Sequence, residues 1–297
     1  MGRKGPTSEK ERVKQMNYDA LQNKKITISK AVLYFLLAAL SLTCLYPLLW
    51  LIINSLKTNA ELFDNPWNLG ASIKFGNYFT AWVSGKVGIS FLNSAFVAVV
   101  SVLITILIGS MAAFAIKRLK WKLSGLVLGI FLIGVMIPIH STLIPLFMAF
   151  SKIGITNNYL SMILPYIAFA LPTSIFILTG FMGSFPREIE EAAVMDGCSM
   201  AGVFWRMIFP LSKSAIATIS IFNFVSMWNE LMFALIFMSD PNKMTLPVSL
   251  TRFKGQYSTD WTIQLAATVI MIIPSVLVYM FLNDKIIESL TAGAVKG

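Results

Sequence analysis

Six stretches of uncharged or nearly uncharged residues divide this sequence, at 31–53, 87–116, 123–150, 159–183, 214–238 and 261–283. A helix rises 1.5 Å per residue, so even the first of them would reach about 34 Å, beyond the roughly 30 Å hydrocarbon core of a bilayer. All are too long for strands, and none alternates polar with apolar residues as a barrel strand does. In lipid each backbone N–H and C=O must find its partner inside the chain, so the expected fold is an all-α integral membrane protein of six transmembrane helices. The composition points the same way. Apolar residues make up 56% of the 297 positions and charged residues only 13%, where a soluble domain carries about a quarter charged residues. A mean hydropathy of +0.72 is more than a soluble core can absorb.

The net charge of +10 would raise nucleic-acid binding for a soluble protein. Here the basic residues flank the apolar stretches, which is the pattern that orients membrane proteins, and no nucleic-acid partner is expected. With the N-terminus inside, the inner segments hold seventeen Lys and Arg and the outer ones seven. The tight run Lys117, Arg118, Lys120, Lys122 weighs most, because short loops follow the rule best. Both termini and the polar segment 185–213 are thus expected in the cytoplasm. The domain reading is a basic cytoplasmic tail at 1–30, partly disordered, followed by a membrane domain at 31–297. No apolar core follows the first charges until residue 31, so the start does not read as a secretory signal. Cys44 and Cys198 fall in different compartments on this topology, so no disulfide is expected.

The motifs of common chemistries are missing. The sequence has no P-loop, no nucleophile elbow and no HExxH, and one histidine, His140. A self-sufficient proton-coupled carrier would show more intramembrane acids or histidines. An intramembrane enzyme would need a catalytic pair at one depth. Any energy from ATP must therefore enter through another subunit.

Glu230 is the one carboxylate inside an expected span. Asn223, Ser226 and Glu230 fall three and four residues apart and share one face, with Trp228 and Asn229 beside them. A carboxylate in lipid is costly and marks function by default. Two readings stay open: a polar lining of a solute path, with Trp228 stacking on a sugar ring, or a structural hydrogen-bond cluster. Asn93 and Tyr166 are further candidates of the same kind. Gly109-x-x-x-Ala113 and Gly125-x-x-x-Gly129 read as close packing between helices of this chain.

The segment Phe185–Pro210 crowds Glu188, Glu190, Glu191 and Asp196 between two apolar stretches. It reads as two short helices. Pro186 suits a first helical turn, and the glutamates favour the positive end of the helix dipole. Gly197 suits a left-handed helix end, Ser199 caps the next helix, and Pro210 limits it. Ile189, Ala192, Ala193 and Asp196 are expected on one docking face.

The spacing Glu191-Ala192-Ala193, three residues, Gly197, and Pro210 thirteen further on resembles the EAA loop of ATP-binding-cassette (ABC) importer permeases. The usual isoleucine-x-leucine-proline ending stands here as Met207, Ile208, Phe209, Pro210. The stretch 46–63 (YPLLWLIINSLKTNAELF), WNELMFAL at 228–235 and the ending LTAGAVKG at 290–297 extend the likeness to carbohydrate permeases of the maltose permease type. The resemblance implies the type I importer permease fold in a bacterial cytoplasmic membrane. It implies a homologous second permease, two ABC ATPase subunits, an extracytoplasmic sugar-binding protein and a carbohydrate substrate. This chain would bind no cofactor and catalyse no reaction; ATP and Mg would sit on the ATPases. Glu190, Glu191, Ala192, Ala193, Asp196, Gly197 and Pro210 would couple to an ATPase, and Thr291, Gly293 and Lys296 would form a coupling tail. The solute would move by alternating access. An importer of a non-sugar solute and a secondary transporter are the alternatives.

Overall fold

A computed structural model describes residues 9–119, 121–253 and 260–294, with side chains for 30–119, 121–253 and 260–281. Every regular element among them is helical. The order is α1 (Glu9–Ser55), α2 (Asn59–Asp64), α3 (Gly76–Val83), α4 (Val87–Arg118), α5 (Ser124–Val135), a 3-10 turn (Ile139–Thr142) and α6 (Leu143–Lys152). Then come α7 (Leu160–Met182), α8 (Glu188–Met195), α9 (Met200–Val203), a π turn (Phe204–Ile208), α10 (Phe209–Leu211) and α11 (Lys213–Trp228). α12 (Met232–Phe237), α13 (Leu246–Leu250), a 3-10 turn (Thr251–Phe253) and α14 (Trp261–Ala294) follow.

Four unbroken helices are long and apolar enough to cross a membrane: Lys30–Ser55 of α1, α4, α7 and Trp261–Phe281 of α14. Two bent pairs bring the total to six, if each pair is one span. The expected third stretch, 123–150, is not one straight helix: α5 and the Ile139–Lys152 run meet at 87°. The cause is Pro138, which has no N–H and whose ring collides with the carbonyl four residues back. The last bonds of α5 shorten to 3-10 type, Met136 N–H to Ile133 O (3.0 Å) and Ile137 N–H to Gly134 O (3.3 Å). The expected fifth stretch, 214–238, also differs. Its helix α11 leaves the Met200–Leu211 run at a 72° bend, stops at Trp228 and resumes as α12 at Met232. The tail at 1–30 has helical backbone from Glu9; residues 1–8 lie outside the described residues.

α4 and α7 form the centre. The centre of α4 is rich in small buried residues, Ser101, Thr105, Ser110 and Ala113. A Cβ on Gly109 would sit in ordinary contact, 3.6 Å from Ser174 of α7, so the two helices pack against each other at this glycine. In lipid such close packing, rather than exclusion of water, holds helices together. The Gly109-x-x-x-Ala113 expectation is met. Gly125 and Gly129 instead have nothing within 4 Å, so that pair packs on no part of the described chain.

At one end of the bundle, the connection from α1 to α3 is a hydrogen-bonded knot. Asn77 Nδ2 donates to Ser55 O and Lys57 O (2.8 Å each), and Ser55 Oγ meets Tyr78 OH at 2.7 Å. Lys57 is fully buried and its ammonium donates to Asn65 O (3.1 Å). Glu61 accepts from Thr58 N–H (2.9 Å), Thr58 Oγ1 (2.9 Å) and Ala71 N–H (3.0 Å). The bonds from Thr58, then that from Ala71, hold the Glu61 carboxyl down at about 2. At the opposite end of the bundle stand α8, α9 and α10.

Candidate functional site

Between α7 and α11 lies a cavity of about 120 Å³. Tyr166, Phe169, Ala170 and Thr173 of α7 form one wall, and Phe222, Asn223, Ser226 and Met227 of α11 the other. Glu230 and Ile139 close it. Four of the residues expected on a solute path, Tyr166, Asn223, Ser226 and Glu230, are thus brought together.

The position of Glu230 follows from the helix break. Had α11 continued, the N–H groups of Met232 and Phe233 would have bonded Trp228 O and Asn229 O. They donate instead to the Glu230 carboxylate, Met232 N–H to Oε1 at 2.8 Å and Phe233 N–H to both oxygens at 3.1 Å. The side chain thereby satisfies N–H groups that the start of α12 leaves free. Tyr166 OH donates to Glu230 Oε2 (2.8 Å), tying the break to α7. Asn223 Nδ2 donates to Ser174 Oγ (3.0 Å), a second tie between the same helices. Among the described residues no cation pairs with Glu230; hydrogen bonds alone compensate its burial. The cavity therefore presents a fixed carboxylate, an amide, a hydroxyl and aromatic rings. That is the set of groups that hydrogen-bonds hydroxyls and packs on the C–H face of a ring.

The other path candidates lie elsewhere. Trp228 is 1% exposed and stacks on Phe224 (centroids 5.7 Å apart) and edge-on with Phe91 (5.3 Å). Its Nε1–H donates to Met271 O of α14 (2.9 Å), so it is a core residue here and faces no cavity. Asn93 donates to Asn242 O (2.9 Å) and Met244 O (3.0 Å) and accepts from Tyr159 OH (2.8 Å), pinning the 242–244 loop to α4. Asn229 is exposed and donates to Val225 O (2.8 Å). Phe169, Thr173 and Phe222 line the cavity without having been singled out in the sequence.

The α8–α9 unit has its own geometry. Gly197 has φ +82°, Cys198 N–H donates to Ala193 O (2.9 Å) and Gly197 N–H to Val194 O (3.0 Å). These paired bonds with a left-handed glycine are the Schellman ending. Ser199 Oγ accepts from Gly202 N–H (3.2 Å) and caps α9. The second arm continues through the π turn and stops at Leu211, one residue past Pro210. The expected single docking face is divided. Ala193 is buried against the cluster of Phe114, Leu178, Met182, Val203 and Phe204, whereas Ala192 and Asp196 are exposed. The exposed side also carries Glu191, Val194, Met195 (87% exposed) and Met200. A groove of about 400 Å³ runs beside it, lined by Leu119, Arg187, Glu191, Val194, Met195 and Met200 among others.

Glu190 faces inward and forms an ion pair with Arg118 of α4, the one salt bridge among the described residues. Arg118 was read in the sequence only as a topology signal. A finer signal was present: Ser110, Phe114 and Arg118 recur every four residues along the face of α4 that packs on its neighbours. A charge on such a stripe calls for a buried partner. Of the tail candidates, Lys296 lies outside the described residues, and Thr291 and Gly293 fall where only the backbone of α14 is described.

Comparison with known proteins places these features. The family described as binding-protein-dependent transport system inner membrane component matches residues 105–290. A putative ABC transporter permease protein of Caldicellulosiruptor sp. is 39% identical over 266 residues, covering 89% of this chain and 96% of that protein. A probable starch degradation products transport system permease protein of Thermoanaerobacterium thermosulfurigenes is 31% identical, covering 92% and 99%. A bacterial ABC transporter structure involved in import of the acidic polysaccharide alginate shares the fold, with a TM-score of 0.75 at 20% identity, covering 95% of this chain and 99% of that one.

Proposed function

This chain belongs to the family of binding-protein-dependent transport system inner membrane components, and from that premise we propose how it works as the membrane permease of an ABC importer for a sugar or oligosaccharide. The names of its relatives support a carbohydrate, and the cavity chemistry suits one: hydrogen-bonding groups at Tyr166, Asn223, Ser226 and Glu230 beside the rings of Phe169 and Phe222.

The observation that carries the mechanism is the separation of two functional regions on the shared helix α7. The cavity lies along Tyr166–Thr173, and the α8–α9 pair leaves the far end of the same helix, past Met182. Nine to sixteen residues of helix separate the two, about 14–24 Å. In this reading the Lys and Arg imbalance sets α8–α9 in the cytoplasm. Two ATPase subunits dock there, one on this chain and one on a homologous second permease. Glu191, Ala192, Val194, Met195, Asp196 and Met200 form this chain's contact. Ala192 lets the partner approach closely, Gly197 turns the chain between the arms, and Pro210 ends the second arm. A sugar-binding protein delivers the solute at the opposite face. ATP binding draws the docked loops together, α7 and α11 tilt, and the cavity changes the side to which it opens. ATP and Mg remain on the partner subunits.

The test is purification of this chain from its native membrane. ATPase and second-permease subunits should co-purify, and proteoliposomes of the assembly should take up sugar only with ATP inside and binding protein outside. Uptake by this chain alone, driven by an ion gradient, would overturn the reading.

A further inference from the structure

The Arg118 side chain is 3% exposed and sits at the C-terminus of α4, where the mechanism above gives it no role. Its donors are nearly saturated. Nε–H pairs with Glu190 Oε1, NH1 donates to Met182 O (3.2 Å) and Phe185 O (3.1 Å), and NH2 donates to Pro186 O (3.3 Å). These acceptors come from three successive pieces of chain: the last turn of α7, the linker to α8, and α8 itself. At the end of α7, Met182 O receives only a long 3-10-type bond from Phe185 N–H (3.3 Å) and lies at the negative end of the helix dipole, so a guanidinium fork is well matched to it. Lys117 adds contact at the same junction, since a Cβ on Gly183 would collide with its side chain.

We propose that Arg118 is the positioning residue that makes the α7–α8 junction stiff, so that displacement of the α8–α9 pair reaches α4 and α7 together instead of being absorbed by the linker. The inference rests on the permease reading above. Five residues, Gly183–Arg187, join α7 to α8. Unclamped, that linker has enough free dihedrals for α8 to swing while α7 stays still. Clamped, α8, the linker and both long helices share one planar group. Burial of Ala193 against Phe114 and Met182 seats α8, but apolar contacts slide, whereas four directed hydrogen bonds do not.

The experiment uses the full assembly in proteoliposomes and reads sugar moved per ATP hydrolysed, together with the KM for ATP and the amount of ATPase subunit bound. The variants are Arg118→Lys, Glu190→Gln, and the double change Arg118→Met with Glu190→Leu. In the double variant both charges are replaced by apolar groups, a swap that often leaves stability intact. Expected is a fall of at least tenfold in sugar per ATP for the double variant, with ATPase subunit still bound. Lysine, a single point donor, should give an intermediate ratio, and Glu190→Gln a milder loss. A merely structural role would lower the yield of assembled complex without moving the ratio. An unchanged ratio in Arg118→Lys and in whichever other variants assemble overturns the proposal. The wild-type assembly separates the two levels: if it shows no ATP-dependent uptake, the permease reading itself fails.

Discussion

Replacing Glu230 separates geometry from charge in the helix break. The carboxylate accepts from Met232 N–H, Phe233 N–H and Tyr166 OH. In Glu230→Ala all three donors lose their acceptor; water can replace it at the exposed Met232 N–H, and the part-buried Tyr166 OH and Phe233 N–H cost about 1–3 kcal/mol each when left unpaired. The cavity of about 120 Å³ has room for water, which needs about 30 Å³ per molecule, so water should rescue part of this. The expected cost is therefore near the low end of the summed range, about 2 kcal/mol. In Glu230→Gln the amide oxygen keeps the two backbone N–H groups, and the amide nitrogen can donate to Tyr166 OH. Only the charge assistance is lost, about 1 kcal/mol. Thermal unfolding of the purified assembly should rank wild type, then glutamine, then a clearly weaker alanine variant. Sugar uptake supplies the second axis: Glu230→Gln should raise the KM for sugar severalfold while barely moving the melting temperature. An alanine variant as stable as wild type would refute the idea that this side chain closes the break. Equal damage from glutamine and alanine would show that charge, not the pattern of acceptors, matters.

Gly197→Ala should cost about 1–2 kcal/mol through the left-handed backbone alone, because nothing lies within 4 Å of the new Cβ. Gly197→Asn should cost less, and Gly197→Val more, with sugar moved per ATP falling in that order; a steric origin would rank asparagine below alanine. Trp228→Phe should lower the melting temperature through the lost bond to Met271 O yet leave the KM for sugar unchanged, since the ring lies outside the cavity. Glu61 ionises at about 2 against an ordinary 4.5, so the folded state favours its anion. Its contribution to the 58–71 loop is fully present above pH 4.5 and fades as pH falls toward 2. Limited proteolysis should show the loop opening over that window, and Glu61→Gln should be cut equally at both ends of it.

How much of this was legible beforehand varies with the physics involved. The lengths of the spans were legible because bilayer thickness sets them, and α4 and α7 start and stop within two residues of expectation. The 87° bend was not, because Pro138 inside an apolar run is compatible with a mild kink as well as a corner. The break after Trp228 was hidden for a different reason: a side chain three-dimensionally close to Met232 and Phe233 takes over their bonds. For Trp228 the information was present and misread. It lies two positions from both Ser226 and Glu230, about 200° around the helix from each, and hence on the opposite side from the polar face. The Gly197 turn and the Ser199 cap were readable because each depends on one residue's local chemistry. For Arg118 the four-residue stripe with Ser110 and Phe114 signalled a buried charge, but not its partners, because three of its four acceptors are backbone carbonyls, which every residue carries.

The apolar run of α1 contributes no residue to any of the three apolar clusters, and its main neighbour is α14. Leu48, Leu51 and Ile52 face Val269, Ile272 and Ile273 across an apolar crevice. Those partners are roughly 220 positions apart in the chain, a separation that makes such contacts slow to form. Of these two helices α1 is made first, so the seam between them can close only after every helix that lies between them in the chain has been made.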